Sequence, residues 1–115
     1  MADLNALYPG ATITHTFDLP YAAEDCSMAR VSYKQGGKTL LKKETSAFTG
    51  ITSGTCRLYV ELSQSETLKF DDLKEIKIQI NLMTEDGKRH TSKPISIPAG
   101  EQFDRSVITD EGESE

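Results

Sequence analysis

The sequence predicts an all-β domain, and three observations support that prediction. Several segments alternate apolar and polar residues at every second position, which is the spacing of side chains along a β-strand. Glycine-containing turns separate those segments. A length of 115 residues leaves room for one domain. Together these features favour an immunoglobulin-like β-sandwich of six to seven short strands with one short helix. A small β-barrel is the alternative.

The clearest strand is predicted over residues 75–83. One side of this segment is aliphatic and the other polar, with Ile76, Ile78, Ile80 and Leu82 alternating with Lys77, Gln79 and Asn81. Burying the four aliphatic side chains should contribute roughly 6–12 kcal/mol. A slip of one residue would expose all of them and bury the polar set, so the register should be strongly specified.

The same alternation predicts strands over residues 11–19, 29–33 and 55–62, and a weaker one over residues 91–97. Pro94 and Pro98 place the weaker strand at a sheet edge, because proline cannot donate to a β-ladder.

Turn and capping residues fit between these strands. Gly36-Gly37 predicts a hairpin, Asp86-Gly87 predicts a tight turn, and Gly50 and Gly54 bracket a looser loop. The run Ser63-Gln64-Ser65-Glu66 is a capping box that should open a short helix ending near Lys69. This helix is expected to join two strands across the top of the sheet.

The chain is expected to divide into three parts. Residues 1–10 form an N-terminal arm with a break at Pro9-Gly10, residues 11–98 form the sandwich, and residues 99–115 form a C-terminal extension. The end of that extension, from Asp110, is densely acidic and is predicted to be disordered.

No motif for catalysis, cofactor binding or metal binding is found in the sequence. Gly37-Lys38-Thr39 resembles the end of a phosphate-binding loop, but Ser32 stands where the first glycine is needed and a strand follows instead of a helix. His15 lies on an apolar strand face and is interpreted as a satisfied core or semi-buried histidine, while His90 follows a turn and should be exposed. We therefore predict a protein that is not an enzyme and has no cofactor.

Charge and targeting signals narrow the class of partner. A formal net charge of −5 argues against nucleic-acid binding, which needs a basic patch. No apolar run is long enough for a membrane span, and no signal peptide is recognised at the N-terminus. Cys26 and Cys56 are most simply small buried hydrophobes in a reducing compartment, although the sequence leaves a disulfide between them open.

Several stretches resemble a family of small proteins encoded among the structural genes of phages and prophages of gut Firmicutes. They lie within residues 11–98 and comprise 14–19, 31–38, 60–70, 76–80, 86–88 and 92–95. A looser similarity extends to the N-terminal immunoglobulin-like domain of phage baseplate upper proteins. The resemblance implies a non-enzymatic virion protein of the head, neck, tail or baseplate. Such a protein would be made in the bacterial host cytoplasm and contact other virion proteins or itself.

Candidate contact residues lie at a predicted sheet edge and in the chain ends. Unpaired backbone groups at an edge can accept a strand from a neighbour. We expect contacts through the arm at residues 1–10, the edge strand 91–97 and the segment 103–108, with these candidates: Thr91, Ile95, Ile97, Phe103, Val107 and Ile108.

Two other functions remain open from the sequence. The tyrosines could stack on a cell-surface glycan, and Tyr33 and Tyr59 are the residues to mutate in testing this idea. The acidic balance could instead mark an inhibitor or interaction protein that binds a basic partner.

Overall fold

The structure is a computed structural model that describes residues 6–108, and within these residues the chain forms eight strands, a 3₁₀ turn at Ala23–Asp25 and one short helix. The strands and helix, in chain order, are β1 Ile13–Leu19, β2 Cys26–Gln35, β3 Lys38–Thr45, β4 Thr49–Thr52, β5 Thr55–Leu62, α1 Gln64–Thr67, β6 Ile76–Thr84, β7 Arg89–Thr91 and β8 Ile95–Ile97.

Two antiparallel sheets face each other. The smaller has the order β1-β5-β4, and the larger has the order β3-β2-β6, with β7 and β8 both pairing the outer edge of β6. If β1 is taken as strand B of an immunoglobulin domain, these orders read B-E-D and C′-C-F-G. The prediction of an all-β, immunoglobulin-like sandwich is confirmed, although residues 6–108 form eight strands where six to seven were expected.

The core lies between the inner faces of the two sheets. Every second residue of β6 contributes to it, and Ile76, Ile78, Ile80 and Leu82 are all buried as the alternation predicted. The largest fully buried side chains are Tyr33, Phe17 and Phe70, which take the volume that a tryptophan fills in many sandwiches.

The prediction of a loose loop between Gly50 and Gly54 was wrong. Thr49–Thr52 forms β4 and pairs with β5 through Thr49↔Arg57 and Gly50↔Cys56. All four residues of β4 are exposed, so the segment carries no apolar alternation from which a strand could have been predicted.

The predicted edge strand at residues 91–97 is split into β7 and β8. Ser92 bridges the break because its backbone N–H donates to Ile80 O and its Oγ accepts from the Ile80 N–H, both at 2.9 Å. The position at the edge of the larger sheet agrees with the prediction made from the prolines.

The capping box is present as predicted. Ser63 Oγ accepts from the Glu66 N–H at 3.3 Å, and Glu66 Oε1 accepts from the Ser63 N–H at 2.9 Å. The helix ends at Thr67 and not near Lys69, and it leads from β5 in one sheet to β6 in the other. The expectation that it lies over a single sheet was therefore wrong.

Described residues on both sides of the predicted 11–98 domain pack against the sandwich. Leu7 is fully buried, its N–H donates to Pro98 O, and its carbonyl accepts from the Gly100 N–H. Ala99, its parallel bridge partner, is also buried. Core packing thus extends on both sides of residues 11–98, whereas residues 1–5 and 109–115, including the predicted acidic disordered tail, lie outside the described residues.

Candidate functional site

Two large apolar side chains are exposed on two segments that are hydrogen-bonded to each other. Phe103 is 91% exposed and Leu73 is 71% exposed. Their chain neighbours are directly bonded, since the Gln102 N–H donates to Asp72 Oδ2 at 2.9 Å. We call these two residues and their surroundings the Leu73–Phe103 surface.

Arg105 fixes the C-terminal extension to the sandwich. Its guanidinium donates to Asp72 Oδ1 at 2.5 Å and to the carbonyl oxygens of Leu68 and Phe70, each at 3.0 Å. These three acceptors come from the connection between α1 and β6. The planar guanidinium engages them through two nitrogens, Nη1 toward Asp72 and Nη2 toward both carbonyl oxygens.

Gln64 holds the extension at a second point. Its Nε2 donates to Ile108 O at 2.7 Å, and its Oε1 accepts from the Ile108 N–H at 2.8 Å. Within the extension, Asp104 Oδ1 accepts from the Ser106 N–H at 3.0 Å, so this bond spans Arg105. The bond from the Gln102 N–H and the bonds from Arg105 therefore flank Phe103 and Asp104 and hold this part of the extension against the sandwich.

Leu73 is positioned by a buried glutamine. Its backbone φ is +61°, a left-handed conformation that costs a branched residue roughly 1–2 kcal/mol. Gln35, at the end of β2, closes the loop around it by donating to Asp71 O and Lys74 O and by accepting from the Asp71 N–H. The strained leucine is thus kept on the surface by three hydrogen bonds.

The predicted contact residues fall into two groups on different elements. On the β7–β8 edge, Thr91 is exposed and Ile95 is half-buried. Ile97 is only 3% exposed and packs in the core, so its prediction as a contact residue was wrong. An edge strand still has one face toward the core, and Ile97 lies on that face of β8.

The second group lies on the extension that Arg105 and Gln64 anchor. Phe103 and Ile108 are exposed there, and Val107 is half-buried. Sequence reasoning missed Leu73, Arg105 and Gln35. No local pattern in the sequence links Asp72 to Arg105.

A buried histidine–tyrosine pair connects the two sheets. His15 on β1 is 1% exposed, and its Nδ1 lies 2.7 Å from Tyr33 Oη on β2. The Nε2 atom has no hydrogen-bond partner among residues 6–108. The prediction that His15 is buried is confirmed, but only one of its two ring nitrogens is satisfied.

Burial shifts both ionisations of this pair toward the neutral forms. Desolvation lowers the pKa of His15 from 6.5 to about 4 and raises the pKa of Tyr33. Because both side chains are enclosed in the core, their geometry supports the fold and does not offer a proton to a substrate.

His90 is half-buried and not exposed as expected. Its ring centroid lies 4.9 Å from that of Tyr21, and its Nε2 lies 3.3 Å from Thr84 Oγ1. Across residues 6–108, no three His, Cys, Asp or Glu side chains are grouped in a way that could hold a metal ion.

No helix within residues 6–108 is long and apolar enough to cross a membrane. The described residues define a small all-β sandwich that carries an anchored, partly apolar C-terminal extension. A scan against protein-family models found no match for this chain, and a search of curated proteins found none either.

Proposed function

We propose that this protein is a non-enzymatic structural or accessory protein of a phage or prophage virion. It acts through protein–protein contacts made by the Leu73–Phe103 surface. The observation that carries this proposal is Phe103, whose ring is 91% exposed while the adjacent backbone is bonded to the sandwich.

An anchored aromatic ring suits a binding role for two reasons. Burying a phenylalanine against a partner contributes about 1.5–3 kcal/mol. The loop carrying it is already ordered by Arg105 and Gln64, so little further conformational entropy is lost on binding. Phenylalanine is among the aromatic residues that are enriched at protein interfaces.

The class of partner is inferred from the resemblance of residues 11–98 to proteins encoded among phage structural genes. An immunoglobulin-like sandwich with sheet edges and an anchored segment at residues 102–108 supports such an assembly role. Partners would be other virion proteins or further copies of this chain, and the protein would be located in the virion.

The glycan-binding alternative loses one of its two test residues. Tyr33 is fully buried between the sheets, so mutating it would report on folding and not on sugar contact. Tyr59 lies exposed on β5, and Tyr8 is exposed on the N-terminal segment. These two rings lie on different elements, and nothing in the geometry favours a sugar site.

The acidic-inhibitor alternative is also weakened by the structure. Five acidic side chains form ion pairs with a neighbouring basic residue: Asp18 with Arg57, Glu44 with Arg30, Glu66 with Lys43, Asp71 with Lys74, and Asp72 with Arg105. Such pairing reduces the net negative field that a mimic of nucleic acid needs.

Photocrosslinking during particle production tests the proposal. A photoreactive phenylalanine analogue is placed at Phe103 and, as a matched control, at Tyr59, which is exposed on the sheet face. We expect the analogue at position 103 to capture a virion protein and that at position 59 to capture none.

Mass spectrometry of purified particles provides the second readout. We expect the protein in the particles, and we expect Phe103→Asp to reduce its incorporation while far-ultraviolet circular dichroism stays unchanged. Presence in producing cells with consistent absence from particles would refute the virion assignment. Incorporation unaffected by Phe103→Asp would refute the role of the surface.

A further inference from the structure

The two cysteines of the chain meet inside the sandwich. Cys26 Sγ and Cys56 Sγ are 3.7 Å apart, although the residues are separated by 30 positions in the sequence. Both are free thiols and both are buried, Cys56 completely and Cys26 with 8% exposure.

The cysteines belong to different sheets. Cys26 opens β2 of the larger sheet, opposite Thr84 on β6. Cys56 lies near the start of β5 in the smaller sheet, opposite Leu19 on β1. Because the two sheets share no strand, a bond between these sulfurs would connect layers that otherwise meet through side-chain packing.

Local backbone structure leaves room for the sulfurs to approach. A disulfide needs a separation of about 2.05 Å, so they must close by roughly 1.7 Å. Cys26 adjoins a register shift in the β2–β6 ladder, between Cys26 and Met28. A strand end beside a bulge can adjust more easily than one in a regular ladder.

We propose that Cys26 and Cys56 form an intersheet disulfide when the folded protein meets an oxidising medium that contains a small-molecule disulfide. This oxidative modification would join β2 to β5 by a covalent bond. This inference is independent of the proposed virion role, since it rests only on the geometry of the two thiols.

The reaction proceeds by two thiol–disulfide exchanges with oxidised glutathione as the oxidant. Cys26, the more accessible thiol, loses its proton and attacks one glutathione sulfur, which forms a mixed disulfide and releases one glutathione thiolate. Cys56 then loses its proton and attacks Cys26 Sγ, and the second glutathione thiolate leaves. The two cysteines lose two electrons in total, one oxidised glutathione is reduced to two glutathione molecules, and these take up the two protons.

The electrostatics of the site make the first exchange slow at neutral pH. Burial and the neighbouring Cys56 thiol raise the pKa of Cys26 to about 12. Since the thiolate is the nucleophile, the initial rate should rise about tenfold for each pH unit between pH 7 and pH 9.

Peptide mapping after oxidation gives the direct test. The folded, fully reduced protein is incubated with oxidised glutathione at pH 8.5, quenched with acid, alkylated and digested with trypsin without reductant. We expect the peptide ending at Arg30 to be linked to the peptide that spans residues 44–57, and the intact protein to lose two hydrogen atoms. A parallel sample in urea measures oxidation of the unfolded chain.

Two single substitutions distinguish the roles of the thiols. With Cys56→Ser we expect glutathione to accumulate on Cys26, because no second thiol resolves the mixed disulfide. With Cys26→Ser we expect Cys56 to stay a free thiol, because it is fully buried. Modification of Cys56 at the wild-type rate in the Cys26→Ser protein would overturn the order of attack.

Thermal unfolding measures how much stability the disulfide adds. The oxidised protein should have a Tm about 5–15 °C above that of the reduced protein, because the bond closes a loop across 30 positions. The proposal fails if the folded wild type keeps both thiols while the urea sample oxidises, or if only dimers linked between chains appear. An unchanged or lower Tm would refute the claim that the disulfide stabilises the fold. These wild-type measurements hold even if a serine variant fails to fold.

Discussion

Acid should destabilise this protein through a single buried histidine. His15 is neutral in the folded state because burial lowers its pKa from 6.5 to about 4. Between these two values the unfolded chain binds a proton that the folded chain excludes, so stability falls as the pH falls. This loss of stability is absent above about pH 7 and complete below about pH 4.

The two pKa values give the size of the effect. The free energy of unfolding should fall by about 2 kcal/mol between pH 7 and pH 5, and by about 3 kcal/mol between pH 7 and pH 4. A typical domain has only about 5–15 kcal/mol of stability in total, so this loss is easily measured.

Carboxylates also make stability depend on pH, but over a lower pH range than His15. The Arg57 guanidinium lowers the pKa of Asp18, and the Lys43 ammonium lowers the pKa of Glu66. A carboxyl with a lowered pKa contributes stability that is present above its unfolded pKa and lost as the pH falls further. Comparing variants at each pH separates these carboxylates from His15.

Urea unfolding at pH 7, 6, 5 and 4 provides the assay. We expect His15→Gln to remove most of the decrease between pH 7 and pH 5, since glutamine does not titrate and can still bond to Tyr33 Oη. His90→Gln is the matched control, and it should keep the wild-type slope. If His15→Gln loses as much stability as wild type between pH 7 and pH 5, the assignment to His15 is refuted.

Three further outcomes are expected. Arg105→Ala should speed hydrogen exchange in residues 102–108, because it removes the bonds that anchor this segment. Global stability should change little, because the Arg105–Asp72 ion pair is partly exposed. Unchanged exchange would contradict the anchoring role. Ser63→Ala should cost about 1 kcal/mol in urea unfolding through loss of the helix cap, whereas an effect below the error of the method would show that the cap is dispensable. Gly100→Ala should lower the Tm, because its Cβ would clash with the Tyr8 ring. Full recovery in Gly100→Ala with Tyr8→Ala would attribute the loss to that clash.

Local patterns in the sequence were enough to predict most strands. The alternation from Ile76 to Leu82 requires a strand with one buried face, and the observed burial follows it residue by residue. The Gly36-Gly37 turn and the Ser63 capping box were predictable for the same reason. In each case the determining interactions lie within a few positions along the chain.

The candidate site was only partly predictable. Phe103 and Ile108 could be chosen because they are apolar residues in a polar extension. Arg105 holds Phe103 in place by bonding to Asp72, which lies 33 positions earlier in the sequence. Nothing in the residues adjacent to Arg105 specifies that partner.

The sequence by itself determined the fold class, because alternation at every second residue selects strands with one buried face, whatever their neighbours are. Only the tertiary structure decided that the exposed segment Thr49–Thr52 is a strand, that Leu7 is buried, and that Cys26 and Cys56 are in contact. Each of these outcomes depends on contacts between residues distant in the chain. Such contacts form only after loop closure has brought the strands together, so no local pattern records them.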